Sequence, residues 1–598
     1  MKIKKIKKSI KGDKKMKIKK ICASVMSLTL FATGVAAAGC SKPDNGGNAG
    51  DKTLNIYIWN DDGSTPDGFD DVLTYFNSTY GPELGFNVKF KFDTQSDYKQ
   101  NLNLAMAANQ KDYDMVFDAG WIYLNDFAKK KYYYDLSDYF EPGSGYDGLS
   151  SAFSSEYLSN NLFSGGVYGV PLTQTYGEIS VAYIRKDWRE ACAADANFKM
   201  PDGKFEGNAV TRKDLADGID SFDELQYYLY WVLANKQGVT PCLSNNDAAW
   251  GAWDIINSRN KPSHSAQDYV NAGIKQEIKL TADVTATAYV RRGTVEAAYI
   301  NEIEKPTSEN GMSSFPKGFD AEDTTWTSNF SLVRRWAEDG IISKDVLQVT
   351  DSDAKFKAGM GGCVVQTINN FSAVEATLKQ NNPGAELEIY VNDYALRNKL
   401  PGYAQTDYKA WNFLCVPTSA GEAKRDMAMK FLNWIFEREE HHDLFQYGIK
   451  GKHWKEVTDE SGNAIEGTVE TTGMESYTFP AYELTWNPKY IRVVSASDPK
   501  VIEYMKYMYD SSRYVGIIYS EFTFDHTATD ALTTALSNAD IANAKTEARS
   551  WYLGQVSDPV SSWQAKLTGR YENASLQSAV KVIKDELIRQ LQDFIDKQ

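Results

Sequence analysis

Leu54, Ile56 and Ile58 alternate with polar neighbours, the period-two pattern of a half-buried strand, and Val88, Phe90 and Phe92 repeat it. Between them residues 70–77 read as helix, with Val72, Leu73 and Phe76 on one face. Tyr98, Leu102, Ala105 and Met106 predict the next helix, and residues 114–118 a short strand. This β-α-β-α-β order predicts a mostly parallel sheet covered on both faces. Ligands of such sheets sit beyond the carboxyl ends of the strands. Two segments fall there: Trp59-Asn60-Asp61-Asp62 after the first strand and Ala119-Gly120-Trp121 after the third. The middle of the chain is more helical, as in residues 221–235 and 331–339, with polar excursions at 201–218 and 305–323, and predicts a second, helix-rich lobe. Near the end Leu576, Val580, Ile583, Leu587, Leu591 and Phe594 step by three and four, an amphipathic helix that should dock on one of the lobes.

The first 39 residues change the picture. A basic run from Lys2 to Lys20 precedes an apolar stretch, Ile21 to Ala38, and then Gly39-Cys40, the order of a signal peptide. Met16 opens a second, shorter version of it. The run stops at a cysteine and a Gly- and Asn-rich tether, residues 41–52, rather than at the flank of a spanning helix. Ala37-Ala38-Gly39-Cys40 resembles a lipobox, although Ala37 stands where Leu is usual. The resemblance implies a diacylglycerol on Cys40 and a membrane-anchored, extracytoplasmic protein.

The net charge of −15 includes about +10 in this leader, so the remainder carries about −25. Nucleic acid is thereby excluded as a partner, because neutralising phosphates takes clustered Lys and Arg. Beyond the leader Cys192, Cys242, Cys363 and Cys415 are widely spaced, without a CxxC pair, and neither a zinc site nor a disulfide framework is indicated. Four buried thiols is the reading, with one disulfide left open. No GxSxG, HExxH, Walker A, EF-hand or dinucleotide fingerprint occurs, and no cofactor is expected. Asp61 and Asp62 adjoin, so their side chains point apart, unlike a glycosidase pair facing across a bond. The aromatics are in excess, with Tyr 36, Phe 27 and Trp 14. Most must pack cores, and a minority is free to line a cleft.

Several segments in order resemble the extracellular solute-binding proteins of ABC importers, the group that includes maltose-binding protein, and its long oligosaccharide-importing lipoproteins in particular. They are 111–116 (KDYDMV) leading to Trp121, 167–172 (VYGVPL), 184–188 (IRKDW), 356–359 (FKAG), 410–413 (AWNF), 431–436 (FLNWIF) and 447–454 (YGIKGKHW). The resemblance implies an α/β, two-lobe periplasmic-binding-protein-like fold with a ligand cleft between lobes joined by crossing hinge strands. It divides the chain into a signal peptide (1–39), a lipid-anchored tether (40–52), a first lobe (53–175 and 393–455) and a second lobe (176–392 and 456–598).

A sugar presents an apolar C–H face and a rim of hydroxyls, so its pocket needs flat rings together with side chains that donate and accept hydrogen bonds. Six places fit. Trp59, Asn60 and Asp61 end the first strand, where an ordinary turn is the alternative. Asp118 and Trp121 end the third and match a ligand-contacting stretch of the family. Gln174, Tyr176 and Glu178 lie at the implied first crossing, with hinge packing as the alternative. Trp250 and Trp253 fall one helical turn apart. Asn369 and Asn370 follow a short apolar strand and match another contact region. Trp411 with Asn412 completes the set, with core packing the stronger explanation of Trp411.

These readings lead to a monomeric binding protein, not an enzyme, which captures a solute, an oligosaccharide first of all, by hinge closure and delivers it to permease subunits. The alternatives are a secreted glycosidase or lyase and a peptide or other solute receptor of the same fold.

Overall fold

The computed structural model describes residues 52–597, apart from 61–62, 164, 173–174, 205–208, 245–248, 282–283, 302, 305–314, 317–318, 320–324, 460, 495–497, 526–528, 530–531 and 534–555. The leader and Cys40 therefore lie outside the described residues.

The alternation at the start forms β1 (Thr53–Asn60), β2 (Asn87–Thr94) and β3 (Met115–Ala119), joined by helices Phe69–Thr79 and Gln95–Ala107. The three strands are parallel in the order β2-β1-β3, as expected. Thr94 caps the second helix by accepting from Asp97 N–H at 3.3 Å. β4 (Val170–Leu172) ends the first passage through this lobe. Gly169 before it is a packing requirement, since a Cβ there would meet Cys415 Sγ at 2.8 Å and Phe413 Cβ at 2.9 Å.

The chain then enters a second sheet. β5 (Ser180–Arg185) is followed by helix Phe222–Asn235, whose start carries a capping box between Ser221 and Glu224, and by β6 (Thr240–Leu243) and helix Ala249–Asn257. Next come β7 (Ile274–Lys279), β8 (Thr285–Arg291) and β9 (Thr294–Ile300), an antiparallel sheet of their own. Helix Thr325–Asp339, β10 (Gly361–Thr367) and β11 (Leu387–Val391) complete the second sheet in the order β11-β5-β10-β6. β12 (Gln405–Thr406) lies on the way back, and β13 (Asn412–Cys415) inserts antiparallel between β3 and β4.

The cores follow this division. Leu54, Ile56, Ile58, Val88, Phe76 and Leu414 are among the buried residues of the first lobe, and two clusters flank the second sheet. Burying each large apolar side chain contributes roughly 1.5–3 kcal/mol. Two expectations need correction. Phe479, Ala481, Leu484 and Trp486 pack into the first-lobe core, so that lobe extends past residue 455. The C-terminal helix, Ala574–Ile595, docks on neither α/β lobe. Its Leu576, Val580, Ile583, Leu587 and Leu591 are buried against β7–β9 residues such as Ala286, Ala298 and Ile300. The small sheet and this helix complete each other as an appended module, which contact periodicity within one helix could not reveal.

Among the described residues no helix is long and apolar enough to cross a membrane.

Candidate functional site

Both main sheets present one edge to the same region. In the first it is formed by the ends of β1, β2, β3 and β4 and the start of β13, where Asn412 pairs with Ala119 and Leu172. In the second it is the start of β5 and the end of β10, where Ser180 pairs with Thr367. A cleft of about 810 Å³ opens at the first edge. Trp121, Trp411, Asn125 and Asn161 line it, Lys409 comes from the returning strand connection, and Phe594 comes from the appended module.

Trp121 and Trp411 are the most exposed rings lining this cleft, 49 % and 44 % exposed in a protein whose other large rings are mostly buried. Neither position is accidental. Asn412, buried in β13, accepts from Trp121 Nε1–H at 3.4 Å, and Lys99 Nζ lies 4.6 Å from the same ring. Asn161 holds the segment carrying Trp411. Its Oδ1 accepts from Ala410 N–H at 2.7 Å, while its Nδ2 donates to the carbonyls of Tyr408 and Tyr157 at 2.7 and 2.6 Å. Asn160 bonds Ser520, linking the first lobe to the residues just before the appended module's contact. The result is two fixed ring faces with amide groups beside them, the arrangement a sugar needs.

Asp118 supports this edge from beneath instead of facing a ligand. It is fully buried and accepts from Ala119 N–H at 2.7 Å, Tyr123 N–H at 3.0 Å and Tyr133 O–H at 2.7 Å. Burial pushes its carboxyl up to about 6, with those donors pulling the other way. Trp59 is likewise core, its ring against Phe117 and its backbone N–H donating to Glu483 Oε2 at 3.3 Å. Asn60 is spent on its own turn: Nδ2 donates to Ser64 O and Oδ1 accepts from Gly63 N–H, both at 2.6 Å. It borders a separate hollow of about 640 Å³ shared with Thr478 and Tyr482.

Other sequence candidates are distributed around the edge. Tyr176 belongs to a hinge cluster with Tyr408, Trp486 and Tyr514, centroids 6.0–6.1 Å apart, and its N–H donates to Met508 O. Glu178 is exposed at the entry to β5. Asn369 and Asn370 are exposed just beyond β10, on the second edge and away from the 810 Å³ cleft. Trp253 is corrected to core, buried against Phe330 at 5.3 Å, because its helix turns that face onto helix Thr325–Asp339. Asp61, Gln174 and the side chain of Trp250 lie outside the described residues.

Charge also lies near the rings. Burial holds Lys409 below the usual lysine range, in reach of Asp407 and Glu521. Lys275, in β7, is only 8 % exposed, and burial, then Lys409, push its ammonium down to about 8. No hydrogen bond or ion pair reaches that ammonium among the described residues. Asp407, Lys409 and Glu521 thus add charge of both signs to the lining of the cleft.

Two sheets in this topology decide the architecture, with the chain passing between their cores three times, after β4, after β11 and between Trp486 and Val493, and a cleft at the strand ends of the first. The fold is that of a two-lobe solute-binding protein. Solved structures agree. The N-glycan transport solute binding protein of Streptococcus pneumoniae is similar over 91 % of this chain and 99 % of its own, at 15 % identity and a TM-score of 0.56. Its crystal structure with Man1GlcNAc aligns over the same shares with a TM-score of 0.51. An extracellular solute-binding protein from Bifidobacterium longum subsp. infantis is similar over 91 % and 99 %, at 12 % identity and a TM-score of 0.51. No family model and no curated protein sequence matches the chain.

In this solute-binding fold Asn160, Asn161, Asp407, Lys409, Glu521 and Phe594 are cleft residues that sequence reasoning did not select. The polar Asp407-Tyr408-Lys409 run before Trp411 was the available signal. Phe594 carried none, since its spacing continues the apolar stripe of its helix.

Proposed function

We propose that this protein is a receptor that captures an oligosaccharide outside the cell, closes its lobes around it, and hands it to the permease of an ABC importer. The observation that carries the reading is the pair of exposed, hydrogen-bond-fixed rings, Trp121 and Trp411, set among asparagine amides at the strand-end cleft. Flat apolar faces with both donors and acceptors match a glycan, and each stacked ring is worth about 0.5–1.5 kcal/mol by analogy with aromatic pairs. A hydroxyl left without its partner on closure costs about 1–3 kcal/mol, which supplies selectivity. The solute-binding proteins of similar fold, one crystallised with Man1GlcNAc, support the same reading.

Three parts of the reading stand on sequence: diacylglycerol on Cys40, anchorage on the extracytoplasmic face of the membrane, and permease subunits as partners. Closure occurs about the crossings, where Asn392 Nδ2 donates to Ser180 Oγ at 2.9 Å and β12 pairs with Val515–Gly516.

Thermal unfolding of the chain from Ser41 onward, scanned against N-glycan fragments, other oligosaccharides, uronates, peptides and amino acids, tests the proposal. A ligand at 100 times its Kd should stabilise the protein by about 2.7 kcal/mol. A raised Tm with one glycan class, recovered intact, supports the receptor. A shift with peptides alone sinks the sugar assignment, and a cleaved glycan replaces the receptor with an enzyme.

A further inference from the structure

The wall of the cleft opposite the first lobe's tryptophans is not supplied by the second α/β sheet. It comes from the appended module, through Glu521, Thr523 and Phe594. Phe594 lies in the last turn of the C-terminal helix, a place where fraying would be expected of an untethered end. This end is tethered. Gln590 makes a reciprocal pair with Asp525, its Oε1 accepting from the N–H at 2.7 Å and its Nε2 donating to the carbonyl at 2.8 Å. Gln592 does the same with the β8–β9 hairpin, accepting from Val295 N–H and donating to Gly293 O, both at 2.9 Å. The Phe594 ring packs on Phe522 at 5.7 Å and Tyr519 at 6.4 Å, yet it is only half-buried and borders the cleft. Four bonds from glutamine side chains to backbone therefore hold the helix end that carries Phe594, whose ring borders the same cleft as Trp121 and Trp411.

We propose that Phe594 is a specificity-determining residue of the ligand site, a third ring face that engages only glycans long enough to extend from Trp121 and Trp411 to the appended module. The inference rests on the glycan-receptor reading. A short glycan occupies the first-lobe rings alone, and a longer one gains a further stacking contact at its far end. Chain-length preference is then set by the C-terminal helix, an element that lies outside both α/β lobes.

Isothermal titration of the chain from Ser41 to Gln598 with a mannose–N-acetylglucosamine disaccharide and with a six-sugar N-glycan fragment tests this. Phe594→Leu keeps the packing on Phe522 while removing the flat face, and Phe594→Tyr keeps the ring. The expected result is about a fivefold loss of affinity for the six-sugar probe with Phe594→Leu, no more than about a twofold change for the disaccharide, and recovery with Phe594→Tyr. Hydrogen exchange provides a second readout: the six-sugar probe should slow exchange of the amides around Phe594, and the disaccharide should not. Equal losses for both probes, or unchanged binding of the longer one by Phe594→Leu, overturn the length-selecting role while leaving the receptor intact. If neither probe binds the wild-type chain, the N-glycan form of the receptor reading falls, and the proposal with it.

Discussion

The first-lobe edge of the cleft and the appended module are built on opposite principles. On the first-lobe side the polar groups that support the two exposed rings are paired. Asp118 takes three donors, Asn161 makes three bonds to backbone, and Asn412 accepts from Trp121. In the appended module, outside the lining of the cleft, a buried ammonium, Lys275, sits in β7 beside a bulge with no ion pair among the described residues. The contrast separates two arrangements. A satisfied network holds rings in one geometry before the ligand arrives, so little ordering entropy is left to lose on binding. An unpaired buried charge spends stability and fixes no contact of the site.

The largest effect should come from removing the support beneath the rings. Asp118→Ala strands Tyr133 O–H and two backbone donors in the core, each unmet group costing about 1–3 kcal/mol, for a total loss near 4 kcal/mol. Urea unfolding of the variant checks this. A loss below about 1 kcal/mol would show that the network is not what holds this edge.

Lys275→Met should act in the opposite direction. A lysine held at about 8 loses its proton more readily in the folded state than in the unfolded chain, which keeps it up to about 10.4, and at pH 7 it is still charged and buried. Stability from this group is therefore present only above the unfolded value and is lost as pH falls through 8, leaving the full cost at pH 7. The variant should gain about 2–3 kcal/mol at pH 7, and the gain should shrink as pH rises from 8 toward 10. Equal gains at pH 7 and 9.5 would assign the effect to packing and remove the contrast between the two regions.

How much of this was legible in the sequence follows from the range of the contacts involved. β1, β2, β3 and their two helices were readable because local periodicity specifies them, and so was the placement of Trp121 at a strand end. The crossings and the discontinuity of the lobes came only through resemblance, since Asn412 pairing with Ala119 spans nearly 300 positions of chain. Trp59, Asp118 and Trp253 were misassigned to the ligand for one physical reason. Position at a strand end or in a helix turn does not reveal the direction of a side chain, and all three point inward. Phe594 was missed from the opposite side: its helical spacing announced a core residue, and only the docking of the helix on β7–β9 brings it to the cleft. The appended module was hidden because its two halves, residues 274–300 and 574–595, are far apart and each is unremarkable alone.

Next in size is Asn161→Ala. It leaves Ala410 N–H and two carbonyls without their amide, for a loss of about 2 kcal/mol, and it frees the segment that carries Trp411. Because the side chain only positions that ring, affinity for a glycan should fall together with Tm, and Asn161→Asp, which sets a carboxylate oxygen against the carbonyls of Tyr408 and Tyr157, should recover neither. Loss of stability with affinity unchanged would show that Trp411 does not depend on this clamp.

Trp411→Ala is the smallest perturbation and the most informative. The ring is 44 % exposed, so its removal should change unfolding free energy by no more than about 0.5 kcal/mol. Glycan affinity should nevertheless drop about tenfold, equivalent to about 1.4 kcal/mol, because a stacking face is lost from a wall that cannot rearrange to replace it. The pairing of a small stability change with a large affinity change is what distinguishes a preorganised contact from core packing. Calorimetric titration and thermal unfolding of the same preparation measure the two together. If Trp411→Ala instead lowers Tm as strongly as Asn161→Ala while binding is spared, the ring belongs to the scaffold, and the first-lobe wall must find its sugar contact in Trp121 alone.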